Sequence, residues 1–322
     1  MEKIISLDKA GETETLGKFG PWPETKHLFE PDDLRAVNMA YMANRPLLLR
    51  GEPGCGKSQL ARAVAQTLNW PLLAKVINAR CEPEDLLYRF DAVARLARAQ
   101  ILPDDSDVAK ELAAEKFLLP DILWWALSPL EARTQFEEAK KHCGSSGCDY
   151  EANAGVAFAA DQGCVVLLDE MDKADAEVPN SLLEVFSLGA FSLPYGGGSV
   201  TVKDVKAPLL IITTNEEREL PAAFVRRCLV HQMNPPKEGL DEFFRARVRA
   251  HFDKNKVSKD VLDEAIGILI KDRQRMKALD LPLPGLAELL DLLRAVVEMG
   301  RGHDTEEMRG FKRFAFEKYL VD

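Results

Sequence analysis

The sequence predicts an α/β fold: a parallel sheet core covered by helices on both faces, followed by a small all-α domain. Three observations carry the prediction. Short apolar runs alternate with helical stretches between about residues 46 and 214, the pattern of a sheet buried on both sides. A glycine-bearing loop, Gly51 to Ser58, joins the first of those runs to the helix that follows it. Beyond Asn234-Pro235-Pro236 the apolar period becomes purely helical. A chain of 322 residues has room for both units.

Residues 1–29 carry Gly, Pro, Thr and charge with little apolar period and read as a lead-in arm. A helix starts near Pro31-Asp32-Asp33, where a proline and acids suit a first turn, with Leu34, Val37, Met39 and Met42 among its apolar positions. Pro46–Leu49 reads as a buried strand, and Ser58–Leu68 as a helix with Leu60, Val64 and Leu68 on one face. Further strands are expected at Leu72–Asn78, Gly163–Leu168 and Leu209–Thr214. These place an αβα core over 30–236. The stretch 81–161 reads as an insertion, with helices at Asp85–Gln100, Val108–Phe117 and Pro129–Lys141. A hairpin with a glycine turn is expected over about 190–203, at Phe191-Ser-Leu-Pro, Tyr195-Gly-Gly-Gly and Ser199-Val-Thr-Val. The boundary falls at 235–239, and 237–322 forms the helical domain. There, Val261, Leu262, Ala265, Ile266 and Leu269, then Leu286, Leu289, Leu290 and Leu293, repeat at helical spacing.

Composition narrows the function classes. Acidic residues number 52 and basic residues 42, a net charge of −10, which disfavours non-specific binding to nucleic acid or anionic membranes. No apolar run approaches the roughly 18 residues of a membrane span, and the first residues lack the apolar stretch of a secretion signal. Six scattered cysteines in a chain large enough to build its own core do not suggest a disulfide scaffold. The expectation is a soluble, cytoplasmic protein with reduced thiols.

The strongest chemical signal is Gly51-Glu52-Pro53-Gly54-Cys55-Gly56-Lys57-Ser58, which fits G-x-x-x-x-G-K-[ST] between a strand and a helix. Glycines let consecutive backbone N–H groups curl around a polyphosphate without interference from Cβ atoms. Lys57 supplies a flexible cation to the β- and γ-phosphates, and the Ser58 hydroxyl suits a Mg²⁺ ion. With Gln59 following, residues 51–59 are the candidate nucleotide contacts. A bare surface glycine loop is the competing reading.

A second signal is Val165-Val-Leu-Leu-Asp169-Glu170, an apolar strand ending in two carboxylates. Asp169 suits the Mg²⁺ shell, and Glu170 suits orienting or deprotonating an attacking water. Acids capping a helix start would look similar. Ile211-Ile-Thr-Thr-Asn215 ends a strand with an amide that could hold both a γ-phosphate oxygen and the water, although Asn also simply ends strands. Arg226 and Arg227 close a short helix. They either complement its C-terminus or reach a neighbouring subunit's γ-phosphate.

In this order, the elements resemble the AAA+ branch of the P-loop NTPases, and within it the MoxR-like family, over about residues 30–300. The loop GEPGCGKS, the strand VVLLDE, the strand IITTN and the segment LPAAFVRRC carry the resemblance, with NARCEPEDLLYRFDAVARL and DEMDKADAEVPNSLLEVF beside them. It implies ATP and Mg²⁺ as ligands, a ring that is usually hexameric, and nucleotide held between subunits. Arg226 and Arg227 would be trans-acting fingers, with Arg227 favoured. The hairpin at 190–203 and the insertion would face the pore, and Asn78 would sit where a polar residue can restrain Glu170. Partner proteins of the family often bear a von Willebrand factor A domain, and some members act in bacterial conflict and defence.

One departure stands out. Many MoxR-like proteins carry a lid arginine in a stretch like S-P-R-A, where this chain reads Leu283-Pro284-Gly285-Leu286-Ala287. Losing that charge-assisted contact would cost about 1.5–3 kcal/mol, so hydrolysis is expected to be slow or partner-dependent.

Lesser signals receive plainer readings. His142, Cys143 and Cys148 lack a second pair at zinc spacing and read as an insertion loop. Trp124-Trp125 reads as core packing, and Arg245, Arg247 and Arg249 as a solvated helix face or lid contact. Cys55 is either inert or, beside Lys57, a favoured thiolate open to oxidation. Two functions compete: a MoxR-like ATPase that remodels or activates a partner protein, and an ATP-gated switch or scaffold with little turnover. A nucleic-acid motor is disfavoured by charge, a small GTPase by the lack of N-K-x-D, and a small-molecule kinase by the paired acids and fingers.

Overall fold

An antiparallel hairpin, β1 (Thr13–Leu16) and β2 (Thr25–Leu28), leads the computed structural model, which describes residues 4–103, 107–144, 147–159, 162–203 and 205–316. The lead-in arm carries this hairpin ahead of the core. Its strands are too short to show a period, and partners distant in sequence hold them. Leu16 is buried against the core, Arg62 donates to the carbonyls of Gly17 and Pro23, and Gln66 donates to that of Thr15.

The core follows: α1 (Pro31–Ala43), β3 (Leu47–Arg50), α2 (Lys57–Leu68) and β4 (Leu72–Val76). Within the insertion come β5 (Tyr88–Phe90), α3 (Ala92–Ile101), α4 (Val108–Glu111), β6 (Leu118–Pro120), α5 (Ile122–Leu127), α6 (Pro129–Ala139) and α7 (Tyr150–Asn153). The chain then returns through β7 (Val165–Asp169), α8 (Glu177–Leu188), β8 (Ala190–Ser192), β9 (Ser199–Thr201), β10 (Leu209–Thr214), α9 (Ala222–Arg227) and β11 (Leu229–Gln232).

Five of these strands form one parallel sheet in the order β11-β3-β10-β7-β4. Alternate residues feed two separate cores. Leu48, Val166, Leu168, Leu210 and Ile212 pack on the side of α5 and α8, while Leu47, Leu49, Val165, Leu167 and Ile211 pack on the side of α1 and α2. Burial on both faces is why the central strands read as unbroken apolar runs. The edge strand β11 is half-buried and alternates weakly, and periodicity does not reveal it.

Two expected helices differ. Asp85–Gln100 is a 3-10 turn at Pro83–Leu86, then β5, then α3, because Asp85 accepts the Glu82 N–H and Asp91 caps a new helix. Val108–Phe117 splits into α4 and a 3-10 turn at Ala114–Phe117. Trp124 and Trp125 are both buried in the core on α5. The C-terminal helices α10 (Leu240–His251), α11 (Lys259–Ala278), α12 (Leu286–Glu298) and α13 (Thr305–Ala315) share a third core. No described helix is long and apolar enough to cross a membrane.

Candidate nucleotide-binding site

Parallel register brings the carboxyl ends of β3, β7 and β10 to one edge of the sheet, the position where open α/β sheets bind ligands. Arg50 lies opposite Thr214, so the loop after β3 and Asn215 leave the sheet side by side. Asp169 ends the strand next to them.

The loop's backbone needs glycine. Gly51, Gly54 and Gly56 have φ of 150°, 75° and 102°. A Cβ at Gly54 would lie 2.5 Å from the Ala287 Cβ of α12, so the helical domain rests directly on this loop. The loop ends where α2 begins, and the unpaired N–H groups of its first turn face the same space. Lys57 is buried, and its ammonium donates to the carbonyls of Gly51 (2.7 Å) and Glu52 (3.0 Å).

The carboxylates are held from β10. Ser58 Oγ lies 2.8 and 2.9 Å from the two oxygens of Asp169, to which it donates. Thr213 Oγ1 donates to Asp169 Oδ1 at 2.5 Å and accepts the Glu170 N–H at 2.9 Å. Glu170 has a left-handed backbone, φ 63°, a conformation that costs a non-glycine residue on the order of 1–3 kcal/mol and clusters at functional sites. Its carboxylate pairs with Lys173 at 2.7 Å. Asn78 follows β4 beside the end of β7, where the Ile77 N–H donates to the Asp169 carbonyl, and makes no hydrogen bond to Glu170 among the described residues. Its Oδ1 instead accepts the Arg80 N–H, closing a local turn.

These groups open onto a cleft of about 360 Å³. Of the nine candidate contacts, Pro53, Gly54, Gly56, Lys57, Ser58 and Gln59 line it, together with Asp169, Glu170 and Asn215. Gly51, Glu52 and Cys55 shape the loop from behind. Cys55 is buried, and burial raises its thiol above the ordinary range despite Lys57 Nζ 3.9 Å away, which favours the inert reading. Arg226 and Arg227 are exposed at the end of α9 and do not line this chain's own cleft. Their backbone carbonyls accept hydrogen bonds from Arg45.

Sequence reasoning missed the opposite wall. Trp22, Pro23, Glu24 and Thr25 of the arm line the cleft, as do Leu286, Ala287, Leu290, Asp291 and Arg294 of α12. The helical domain's arginine in the cleft is therefore Arg294, while Gly285 caps the helix. The spacing 287, 290, 291, 294 marks one helix face and was the available signal. Nothing in the arm's sequence offered a comparable one. Thr213 sat within a recognised stretch, but only the following Asn215 drew attention.

The sequence model of the AAA domain family, dynein-related subfamily, matches residues 46–111 and 123–228. No curated protein gives a match. Among solved structures, one from Cytophaga hutchinsonii described as a "putative ATPase" aligns over 88% of this chain and 79% of its own at 14% identity. Its TM-score of 0.37 is too low to bear on fold or function.

Proposed function

The chain belongs to the AAA domain family, in its dynein-related subfamily, and from that premise we propose that it is a MoxR-like AAA+ ATPase acting on a partner protein. The reading rests on one observation above all. Lys57, Ser58, Asp169, Glu170 and Asn215, drawn from the first turn of α2 and the ends of β7 and β10, line a single cleft.

Each group has a chemical task there. The positive-φ loop and the α2 N-terminus bind phosphate oxygens. Lys57 is within reach of them once it leaves the Gly51 and Glu52 carbonyls. Glu170 takes a proton from the attacking water, and Asn215 orients that water beside the γ-phosphate. The donor set also fits a hard divalent cation, since Ser58 and Asp169 present only oxygens and lie within hydrogen-bond distance of each other. When bound, Mg²⁺ would supply charge neutralisation at the phosphates, held by those two residues.

Arg226 and Arg227, exposed and away from their own cleft, suit a second copy's γ-phosphate. That arrangement calls for a ring, hexameric in the family resembled, acting on a separate partner or client, including one with a von Willebrand factor A domain. A second reading, an ATP-gated switch or scaffold with little turnover, draws support from the Lys173–Glu170 pair, which occupies the general base.

Binding of ATP by the whole chain, followed with a fluorescent analogue, and phosphate release test the proposal together. Lys57→Ala should abolish measurable binding. Glu170→Gln should keep binding while cutting turnover about 10²- to 10⁴-fold. Unchanged binding in the Lys57→Ala protein would overturn the assignment.

A further inference from the structure

The helical domain and the phosphate loop meet through one ion pair. Arg273, on α11, is 8% exposed and sends its two terminal nitrogens to the two carboxylate oxygens of Glu52, both at 2.9 Å. The same guanidinium donates to the carbonyl of Pro284 at 2.6 Å, fixing the turn that leads into α12. It also lies near the Phe244 ring of α10, 5.9 Å from the centroid. A planar, two-pronged contact with this degree of burial has the geometry of a specific joint rather than a loose surface pair.

Glu52 is a junction in its own right. Its carboxylate goes to Arg273, its N–H donates to Asn234 Oδ1 at 2.8 Å, and its carbonyl accepts from Lys57 Nζ at 3.0 Å. One loop residue therefore joins the helical domain, the segment linking the two domains, and the loop lysine. Ala287 against Gly54 adds a second, apolar contact between the same two parts.

We propose that Arg273 is a positioning residue for nucleotide binding, acting through Glu52 to hold the phosphate loop in its binding shape. The helical domain then grips the nucleotide from behind the loop. No arginine at 285 is needed to touch the γ-phosphate for the two domains to move as one. The inference deepens the ATP-site reading and rests on it.

A grip exerted on the loop has a signature that a γ-phosphate contact lacks. The loop backbone cradles the phosphates common to ATP and ADP, so breaking the grip weakens both nucleotides by similar factors. A direct γ-phosphate contact would weaken ATP alone.

The test measures dissociation constants of fluorescent ATP and ADP analogues for the full chain and for Arg273→Met, Glu52→Gln and the double variant. Thermal melting is recorded alongside. We expect each single variant to weaken both nucleotides about tenfold, with the ATP-to-ADP ratio within twofold of the original. The double variant should be no weaker than either single one, because both changes remove the same joint. If Arg273→Met does not fold, Glu52→Gln alone decides, since it removes the charge and keeps the side chain's shape. Affinity unchanged in Glu52→Gln, loss confined to ATP, or additive losses in the double variant would overturn the proposal while leaving the ATP site standing. An unaltered chain that binds neither analogue would overturn both.

Discussion

The two walls of the cleft are built in different ways. The sheet-side wall comes from strand ends locked in parallel register, with Asp169 and Glu170 both tied to Thr213. The opposite wall is assembled from the arm hairpin and α12, residues 22 to 25 and 286 to 294, and is joined to the loop by Arg273 and Ala287. Groups on the sheet side cannot shift without distorting the core. On the other wall, α12 is carried by the helical domain, while the arm hairpin is tied to α2 by Arg62 and Gln66. The difference suggests a division of labour: bond chemistry on the fixed side, and affinity and timing on the other.

The sharpest way to break that division lies with Arg226 and Arg227, which belong to neither wall of their own cleft. Replacing both with alanine should lower turnover by about 10³-fold or more in the self-associated protein. Nucleotide affinity of the isolated chain should stay within twofold. Phosphate-release and binding assays run side by side decide it. A matching loss of affinity would mean that the pair acts on its own chain's nucleotide, and the trans assignment would fail.

Legibility in the sequence follows the same division. The glycine loop, the paired acids and the polar strand end are each contiguous, because a single turn or strand terminus must deliver several groups at once. The central strands were equally plain, since burial on both faces leaves an apolar run. Residues of the other wall are far apart in the chain and meet only through tertiary packing. Trp22 and Thr25 lie in and beside a four-residue strand that shows no period, and β11 is an edge strand whose burial barely alternates. Helical periodicity also overran Asp85–Gln100, where local caps at Asp85 and Asp91 override it. Arg273 and Glu52 illustrate the limit. They are 221 residues apart, and nothing in either neighbourhood announces the other.

The arm hairpin should also be acid-sensitive. His27, on β2, is buried, and its Nε2 lies 3.8 Å from Asp33 without a hydrogen-bond partner among the described residues. Burial lowers its pKa to about 4, with Asp33 pulling it back up and Arg247 and His251 lowering it further. In the unfolded chain the ordinary value near 6.5 returns. As pH falls through 6.5, the unfolded state therefore takes up a proton that the folded state refuses. The stability is complete above pH 6.5 and is lost progressively down to about pH 4, by about 3 kcal/mol in all. His251 on α10 is also lowered, chiefly by burial, and shifts stability in the same direction. Urea unfolding at pH 7 and pH 5 should show the loss, and His27→Gln should remove most of it. An equal loss in the variant would place the acid sensitivity elsewhere.

The smallest effect should come from a partly exposed ion pair on the fixed side. Lys173 holds the Glu170 carboxylate at 2.7 Å, yet the two side chains are 41% and 30% exposed. Solvent screens such a pair to about 1 kcal/mol at most. Glu170 must leave it, or turn within it, to accept a proton from water, so the pair adds its strength to the barrier. Lys173→Met should therefore raise basal turnover by up to about fivefold, with ATP affinity unchanged. Single-turnover phosphate release is the right measurement, because it isolates the chemical step from product release. A fall in rate would mean that Lys173 aims Glu170 instead of restraining it. The fixed wall would then carry a positioning cation of its own.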